Sequence, residues 1–464
     1  MTPSSDLFHL IKSLKQTEKR YLKVYASKLS DGKAPQYMQL YKAIESMSEY
    51  DENWLKAHFK GKTFIRQLHV AKNYLTTIIL QSLVAYYYDS SAHNSLALLL
   101  QTIEILYDKD QHHLCQKQIE KGIRLCKTYS KHNFLFIFLE WQTRLLIRRQ
   151  DYDKALNAIE EQASILTALQ QYLSAKERAL KIHRRLITKG FPRTEDDINM
   201  LKEDMLDFAG SGHLTGALPE EAYYRLFALS NYYAGSGEQN KRAQTMKQLV
   251  VMLEDNMPYS LEHPHFYISA LNNYYNALVS AGQIRLAKDV LRKIRNLSQK
   301  LNPKRHDTKN YALLVSYDIE LEIAMLTNET HSVLKYVPEI KLLIDKTEGV
   351  FQKSTTLELV FNTARTLFVA GNYSEALDWV NRILNEKMSD AREDLNAAAR
   401  ILYLLIHYEL GNDILLESII TSTKNSLKYK RRLFKAEQIV LNHLTRLNGA
   451  KKDKDRRVIF TSLT

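Results

Sequence analysis

The sequence predicts an all-α fold, an α-solenoid of helical hairpins with a helical module capping its N-terminal end. Three observations predict it. Glycine and proline are scarce, 14 and 8 among 464 residues, and few chain breakers suit long helices joined by short turns better than an all-β chain. Apolar residues recur at helical spacing over Asp6–Lys28 and Thr63–Tyr88. Turn-forming residues recur as well, at Asp110, Gln150, Gly190, Gly237, Gly282, Asn328, Gly371 and Gly411, with spacings of 40, 40, 47, 45, 46, 43 and 40 residues. A chain this long exceeds what one hydrophobic core organises, so an array or several domains must share it.

Residues 1–90 do not follow the repeat. Asp6–Lys28 reads as one helix, with Leu7, Leu10, Ile11, Leu14, Tyr21, Leu22 and Tyr25 at helical spacing. Tyr37–Met47 reads as a second helix and Asp51–Phe59 as a short third. Thr63–Tyr88 reads as a long fourth, with Phe64, Leu68, Ala71, Leu75, Ile78 and Ile79 on its apolar side. Four helices at the end of an array fit a capping module, because a terminal repeat has one face in water. The expected organisation is therefore a module at 1–90, a repeat body at 91–445 and a basic tail at 446–464.

Within the body, Gly371-Asn-Tyr-Ser-Glu-Ala-Leu377 echoes Gln150-Asp-Tyr-Asp-Lys-Ala-Leu156, and Gly282-Gln-Ile-Arg-Leu-Ala287 repeats the pattern with isoleucine for tyrosine. Upstream of Gly371, small Ala364 and apolar Leu367 are placed to face a partner helix. Two helices approach closely only where something small sits at their crossing, and the turn residue must leave the helical region. Thr194-Glu-Asp-Asp197 and Pro219-Glu-Glu221 read as helix starts, with acids suited to the helix dipole. These motifs resemble the tetratricopeptide repeat (TPR) over roughly residues 92–445. The 40–47-residue spacing exceeds the 34 of the consensus repeat, so the resemblance is to a TPR-like array with longer helices or loops. Residues 1–90 resemble the opening of a group of bacterial proteins with a TPR-like body, which implies no activity.

Counting six residues back from each turn gives Glu104, Arg144, Arg184, Asn231, Asn276, Glu322, Arg365 and Leu405, seven of them polar. Asn273 and Asn362 lie nine residues before two of the best turns. Spacing alone says that these residues share a face, and any solvent-facing helix position tends to be polar. The TPR resemblance implies more: the first helix of each hairpin lines a concave groove, where Arg144, Asn231, Asn273, Asn276, Asn362 and Arg365 would clamp a peptide or helix of a protein partner. Amides and guanidinium groups suit backbone amides and carboxylates. The tyrosines, 28 in all, cluster in adjacent runs at Tyr86–Tyr88, Tyr223-Tyr224, Tyr232-Tyr233 and Tyr274-Tyr275. Neighbours on a helix point 100° apart, so adjacent tyrosines cannot both face the core and some are expected to line the groove.

The net charge of +13 is concentrated at the ends. Residues 1–90 hold 13 Lys/Arg against 8 Asp/Glu, residues 424–464 hold 12 against 3, and the body between them sums to −1. A nucleic-acid-associated regulator is therefore the alternative to a protein-binding scaffold. Asp51–Asn73 could form a helix-turn-helix around Gly61, with Arg66, Gln67, His69 and Asn73 facing bases. Lys62, Arg66 and Lys72 would meet phosphates there, and Lys430, Arg431 and Arg432 would do so in the run Lys428–Lys435. Such segments are also what a solvated helix face and a solvated terminus look like.

Catalysis has little in its favour. The sequence contains no His-Glu-x-x-His, Gly-x-Ser-x-Gly, P-loop or dinucleotide fingerprint. His112-His113-x-Cys115 has metal-capable side chains but no second cluster at ligand spacing. His263-Pro-His265 reads as structural. No enzyme activity, cofactor or metal is therefore expected. Cys115 and Cys126, the two cysteines, would lie on one helix about 16 Å apart, too far to bridge. With no secretory pattern at the start and no apolar run long enough to span a bilayer, a cytoplasmic protein is expected.

Overall fold

A computed structural model describes residues 5–28, 36–189, 195–209, 218–301, 306–347, 351, 353–385, 393–429, 433 and 435–449. Every regular element among these residues is helical. None of the helices there is long and apolar enough to cross a membrane. The chain divides into two compact units, Met1–Ile159 and Glu160–Thr464.

The first unit opens with α1 (Asp6–Ser13), α2 (Gln16–Lys28), α3 (Gln36–Ser46), α4 (Glu52–His58) and α5 (Leu68–Tyr87), the last preceded by a 3-10 turn at Thr63–Gln67. The single helix expected over Asp6–Lys28 is two. Leu14 takes extended backbone (φ −66°, ψ 130°), and the Lys15 N–H donates to the Glu18 carboxylate at 2.7 Å. Glu18 thus reaches back over the start of α2 as the acid of a capping box does. Asp51 caps α4 by accepting from the Asn53 and Trp54 N–H groups at 2.8 and 3.0 Å. The apolar positions of α5 are buried at Leu68, Leu75, Ile78 and Ile79, in a core shared with Leu7, Ile11, Leu22, Tyr41, Ile44 and Leu55.

Next come α6 (Ala92–Asp108), α7 (His112–Thr128) and α8 (His132–Arg148), each 17 residues long, and α9 (Tyr152–Lys189). Two 17-residue helices with two three-residue connections make up the 40-residue spacing from Asp110 to Gln150, which explains why it exceeds 34. Helices α6 and α8 each pack on α7. Gly122 lets α7 and α8 meet, since a Cβ there would collide with the Phe138 ring.

The second unit continues with α10 (Glu195–Ala209), α11 (Pro219–Gly235), α12 (Gln239–Asp255), α13 (Met257–Glu262), α14 (Pro264–Ser280), α15 (Ile284–Lys300) and α16 (His306–Leu326). Then come α17 (Thr330–Val333), α18 (Val337–Lys346), α19 (Lys353–Val369), α20 (Tyr373–Leu384), α21 (Glu393–Glu409), α22 (Asp413–Tyr429) and α23 (Lys435–Gly449). Sequence neighbours pack together: α11 on α12, α14 on α15, α19 on α20 and α21 on α22. Alternate helices also touch in series, α14 on α16, α16 on α19, α19 on α21 and α21 on α23. The longer spacings in this unit come from the extra helix α13, from the 21-residue α16, and from a break between α17 and α18 where Pro338 opens the second piece.

One turn geometry is repeated in both units. Asp110, Gln150, Gly237, Gly282, Asn328, Gly371 and Gly411 all have positive φ, between 55° and 82°. Gly190 lies outside the described residues. After each turn residue the next N–H bonds back to a carbonyl five residues earlier, as in Gln111 to Leu106 (2.9 Å), Gln283 to Leu278 (2.8 Å) and Asn412 to His407 (3.0 Å). This is the Schellman closure, with the left-handed residue just past the helix end. Ser130 (φ 51°) makes the same turn between α7 and α8, although serine is not a residue that announces it. Five residues beyond the turn, Cys115, Ala155, Ala287 and Ala376 are all buried, and Ala364 and Leu367 are fully buried on α19.

Candidate functional site

The series α14, α16 and α19 brings a polar cluster together in the second unit. Asn362 on α19 donates its amide to Asp318 Oδ1 on α16 at 2.7 Å. One turn along α19, Arg365 Nε points at Met325 Sδ, 3.0 Å away. From α14, Tyr275 enters with only 1% exposure, and its buried hydroxyl is turned to the Glu322 carboxylate.

The electrostatics follow from this placement. Desolvation is the largest influence on the Asp318 carboxyl and pushes its pKa up to about 7, with the Glu358 and Glu322 charges adding to the rise. The Asn362 hydrogen bond and the Arg365 guanidinium pull the other way. Burial raises the Tyr275 phenol well above its ordinary value, with Glu322 and Asp318 pushing further and Arg365 opposing. Asp318 is thus influenced by Glu322, Glu358 and Arg365, and Tyr275 by Asp318, Glu322 and Arg365.

The residues expected to line a groove meet different fates. Asn362 and Arg365 both belong to this cluster. Asn273 and Asn276 are half-buried on α14, one helical turn apart. Asn231 is half-buried on α11, and its side-chain nitrogen is buried without a hydrogen-bond partner. Arg144 lies in the first unit, exposed on α8, where it pairs with Glu140 of its own helix at 3.0 Å and covers the Trp141 ring. Asp318 escapes a search at six and nine residues before the turn, because it stands ten before Asn328. Glu358 is thirteen before Gly371, and Tyr275 is a seemingly ordinary packing tyrosine. No local motif marks any of the three.

Two of the tyrosine pairs divide between core and surface, whereas Tyr232 and Tyr233 are both half-buried. Tyr223 and Tyr275 are buried, while their neighbours Tyr224 and Tyr274 are half-buried. His263 packs its ring on Tyr259 at the start of α14, and His265 meets Tyr311.

In the N-terminal helices, Gly61 (φ 91°) stands between α4 and the 3-10 turn, and Lys62 and Arg66 are exposed. Arg66 and Gln67 fall in that turn rather than on α5. Lys72 is committed elsewhere: its ammonium donates to Glu52 and to the Tyr50 hydroxyl, both at 2.9 Å, with its side chain 13% exposed. Lys56 joins the same carboxylate at 3.0 Å. Both lysines hold the Glu52 pKa down to about 2, so this acid engages Lys72, one of the three cations expected to meet phosphate there. Lys430, Arg431 and Arg432 lie outside the described residues.

Among the described residues, no three His, Cys, Asp or Glu side chains come together as metal ligands. Cys115 and Cys126 are free and buried. Burial pushes the Cys126 thiol up to about 12, which keeps it protonated and unreactive. No family model matches the chain, and no curated protein is significantly similar to it.

Proposed function

We propose that this protein is a non-enzymatic scaffold, a TPR-like α-solenoid that binds a peptide or helix of a partner protein on the face carried by α14, α16 and α19. The observation that carries the reading is the serial packing of these alternate helices, with half-buried polar groups held between them. A face of this kind offers amides and charges that are positioned before any partner arrives, which lowers the entropy lost on binding. Asn273 and Asn276 supply bifunctional amides to a peptide backbone, and half-buried Tyr274 adds contact area at low entropy cost. A cytoplasmic location and the absence of catalysis belong to the same reading.

Random displayed peptides panned on the full-length protein test it. The enriched peptides should lose about tenfold in affinity for the Asn273→Ala/Asn276→Ala variant, as expected for losing one or two good hydrogen bonds. The melting temperature of that variant should be unchanged. Enriched peptides that bind the variant as well as the parent place recognition elsewhere on the molecule.

A further inference from the structure

Helix α9 departs from the turn rhythm of its neighbours. Left-handed turns at Asp110, Ser130 and Gln150 follow one another at intervals of 20 residues. Twenty residues further on, at Gln170, the chain stays helical, and α9 runs unbroken from Tyr152 to Lys189, 38 residues in all. Helices α7 and α8 fold back on one another, whereas the corresponding lengths of α9 lie in line. A helix laid out straight cannot bury one half against the other.

The consequence shows in what α9 leaves open. Ile119 and Cys126 of α7 are buried, but Ile159 and Leu166, forty residues on, are exposed. Where α8 carries polar Asn133 and Glu140, α9 carries Leu173 and Leu180, also exposed. Tyr152, Ile159, Leu166, Leu173 and Leu180 recur every seven residues, and all are between 45% and 59% exposed. Scattered exposed apolar side chains are ordinary on a protein surface. A seven-residue repeat held from 152 to 180 is instead the seam of a coiled coil. The other face of α9 is already in use, with Ala155, Ala158, Ile165, Ala179 and Ile182 buried.

Two features say what covers the open seam. It is symmetric about Leu166, with apolar residues seven and fourteen positions to either side. The charge along α9 is polarised about the same point. Residues 152–166 carry Asp153, Glu160 and Glu161 against Lys154. Residues 167–185 carry Lys176, Arg178, Lys181, Arg184 and Arg185 against Glu177. A second α9 laid antiparallel sets apolar residue against apolar residue and the acidic half against the basic half. A parallel copy sets like charges side by side, which is unfavourable.

We infer that the protein forms a twofold dimer through antiparallel pairing of α9, with the two Leu166 side chains meeting at the axis. Tyr152 of one copy then lies level with Leu180 of the other. Each half of α9 gains from the second copy the helix contact that a turn at 170 would have supplied within the chain, as in a domain swap. The dimer does not depend on the peptide-groove reading.

Sedimentation equilibrium of the full-length protein tests it, over about a hundredfold range of concentration because mass action governs a dimer. A dimer should be present. Leu166→Glu brings two carboxylates together at the axis and should weaken it about tenfold or more. Ile414→Glu, at a position 97% exposed on α22, should leave it unchanged. Orientation is read separately by a short bismaleimide cross-linker, Cys115 and Cys126 being buried. Leu166→Cys should link copy to copy. Leu180→Cys should not link to itself, since antiparallel copies hold that position about 42 Å apart, but it should link to Tyr152→Cys in a mixture. These cysteine variants keep the test decisive if Leu166→Glu does not fold. The inference is overturned if the protein is monomeric throughout, which would leave the seam to a helix of another protein. It is equally overturned if Leu166→Glu dimerises as the parent does, if Ile414→Glu dissociates the dimer as strongly, or if Leu180→Cys links to itself and not to Tyr152→Cys.

Discussion

The first unit and the second place polar side chains at the same distance from their turns and surround them differently. Arg144, six residues before Gln150, finds Glu140 one turn back on its own exposed helix face. Arg365, six before Gly371, reaches across to Met325 of another helix and opposes the rise in the pKa values of Asp318 and Tyr275. Position relative to the turn decides only which way a side chain points. Whether it belongs to a site depends on how closely the neighbouring helices approach and how much water they exclude. In the first unit close approach is used for apolar contact instead, with Gly122 on α7 receiving the Phe138 ring of α8.

Breaking that contact should have the largest effect. Gly122→Leu places a branched side chain where the fully buried Phe138 ring already sits, and overpacking of this kind costs about 3 kcal/mol or prevents folding. Urea denaturation monitored by circular dichroism checks it. A loss below about 1 kcal/mol would show that α7 and α8 separate easily, removing the packing contrast between the units.

The pattern of helices was legible in the sequence because turns and small crossing residues are local signals. A glycine, asparagine or aspartate is cheap at positive φ, and so Asp110 and Asn328 could be placed without knowing what surrounds them. Ser130 could not, since its left-handed backbone is imposed by the packing of the helices on either side. The break at Leu14 was hidden for a related reason: leucine continues the apolar spacing, and Glu18 acts through a backbone N–H that no side-chain pattern displays. The cluster was half legible. Asn362 and Arg365 stood at counted positions, but Asp318 and Glu358 join them only because α16 and α19 touch along their lengths. The sequence carries no local trace of that contact.

The next effect sharpens the comparison through pH. The folded pKa of Asp318 is raised from 3.8 to about 7, so the folded state holds this proton more tightly than the unfolded chain does. The group's stabilisation is present in full below the unfolded pKa and is lost as pH rises through about 7. Asp318→Asn removes that dependence. The variant should be more stable than the parent at pH 8 by about 1–2 kcal/mol, a figure reduced for the residue's partial exposure. The advantage should shrink as the pH falls to 5. Parallel urea melts at the two pH values give the difference directly, and an equal advantage at both would show that the carboxyl titrates normally.

The smallest effect belongs to the first unit. Both partners of the Arg144–Glu140 pair are about half exposed, at 53% and 45% of their side-chain surface. The pair spans one turn of a single helix, and such pairs contribute about 0.3–0.5 kcal/mol at most. Arg144→Ala should therefore change stability by less than about 0.5 kcal/mol, the lost ion pair being offset in part by alanine's better helix propensity. Binding of the displayed peptides should also be unaltered, because recognition is assigned to α14, α16 and α19. A tenfold loss of peptide affinity in Arg144→Ala would extend the binding face into the first unit. Turn-relative position would then be enough to recruit a residue, whatever the burial around it.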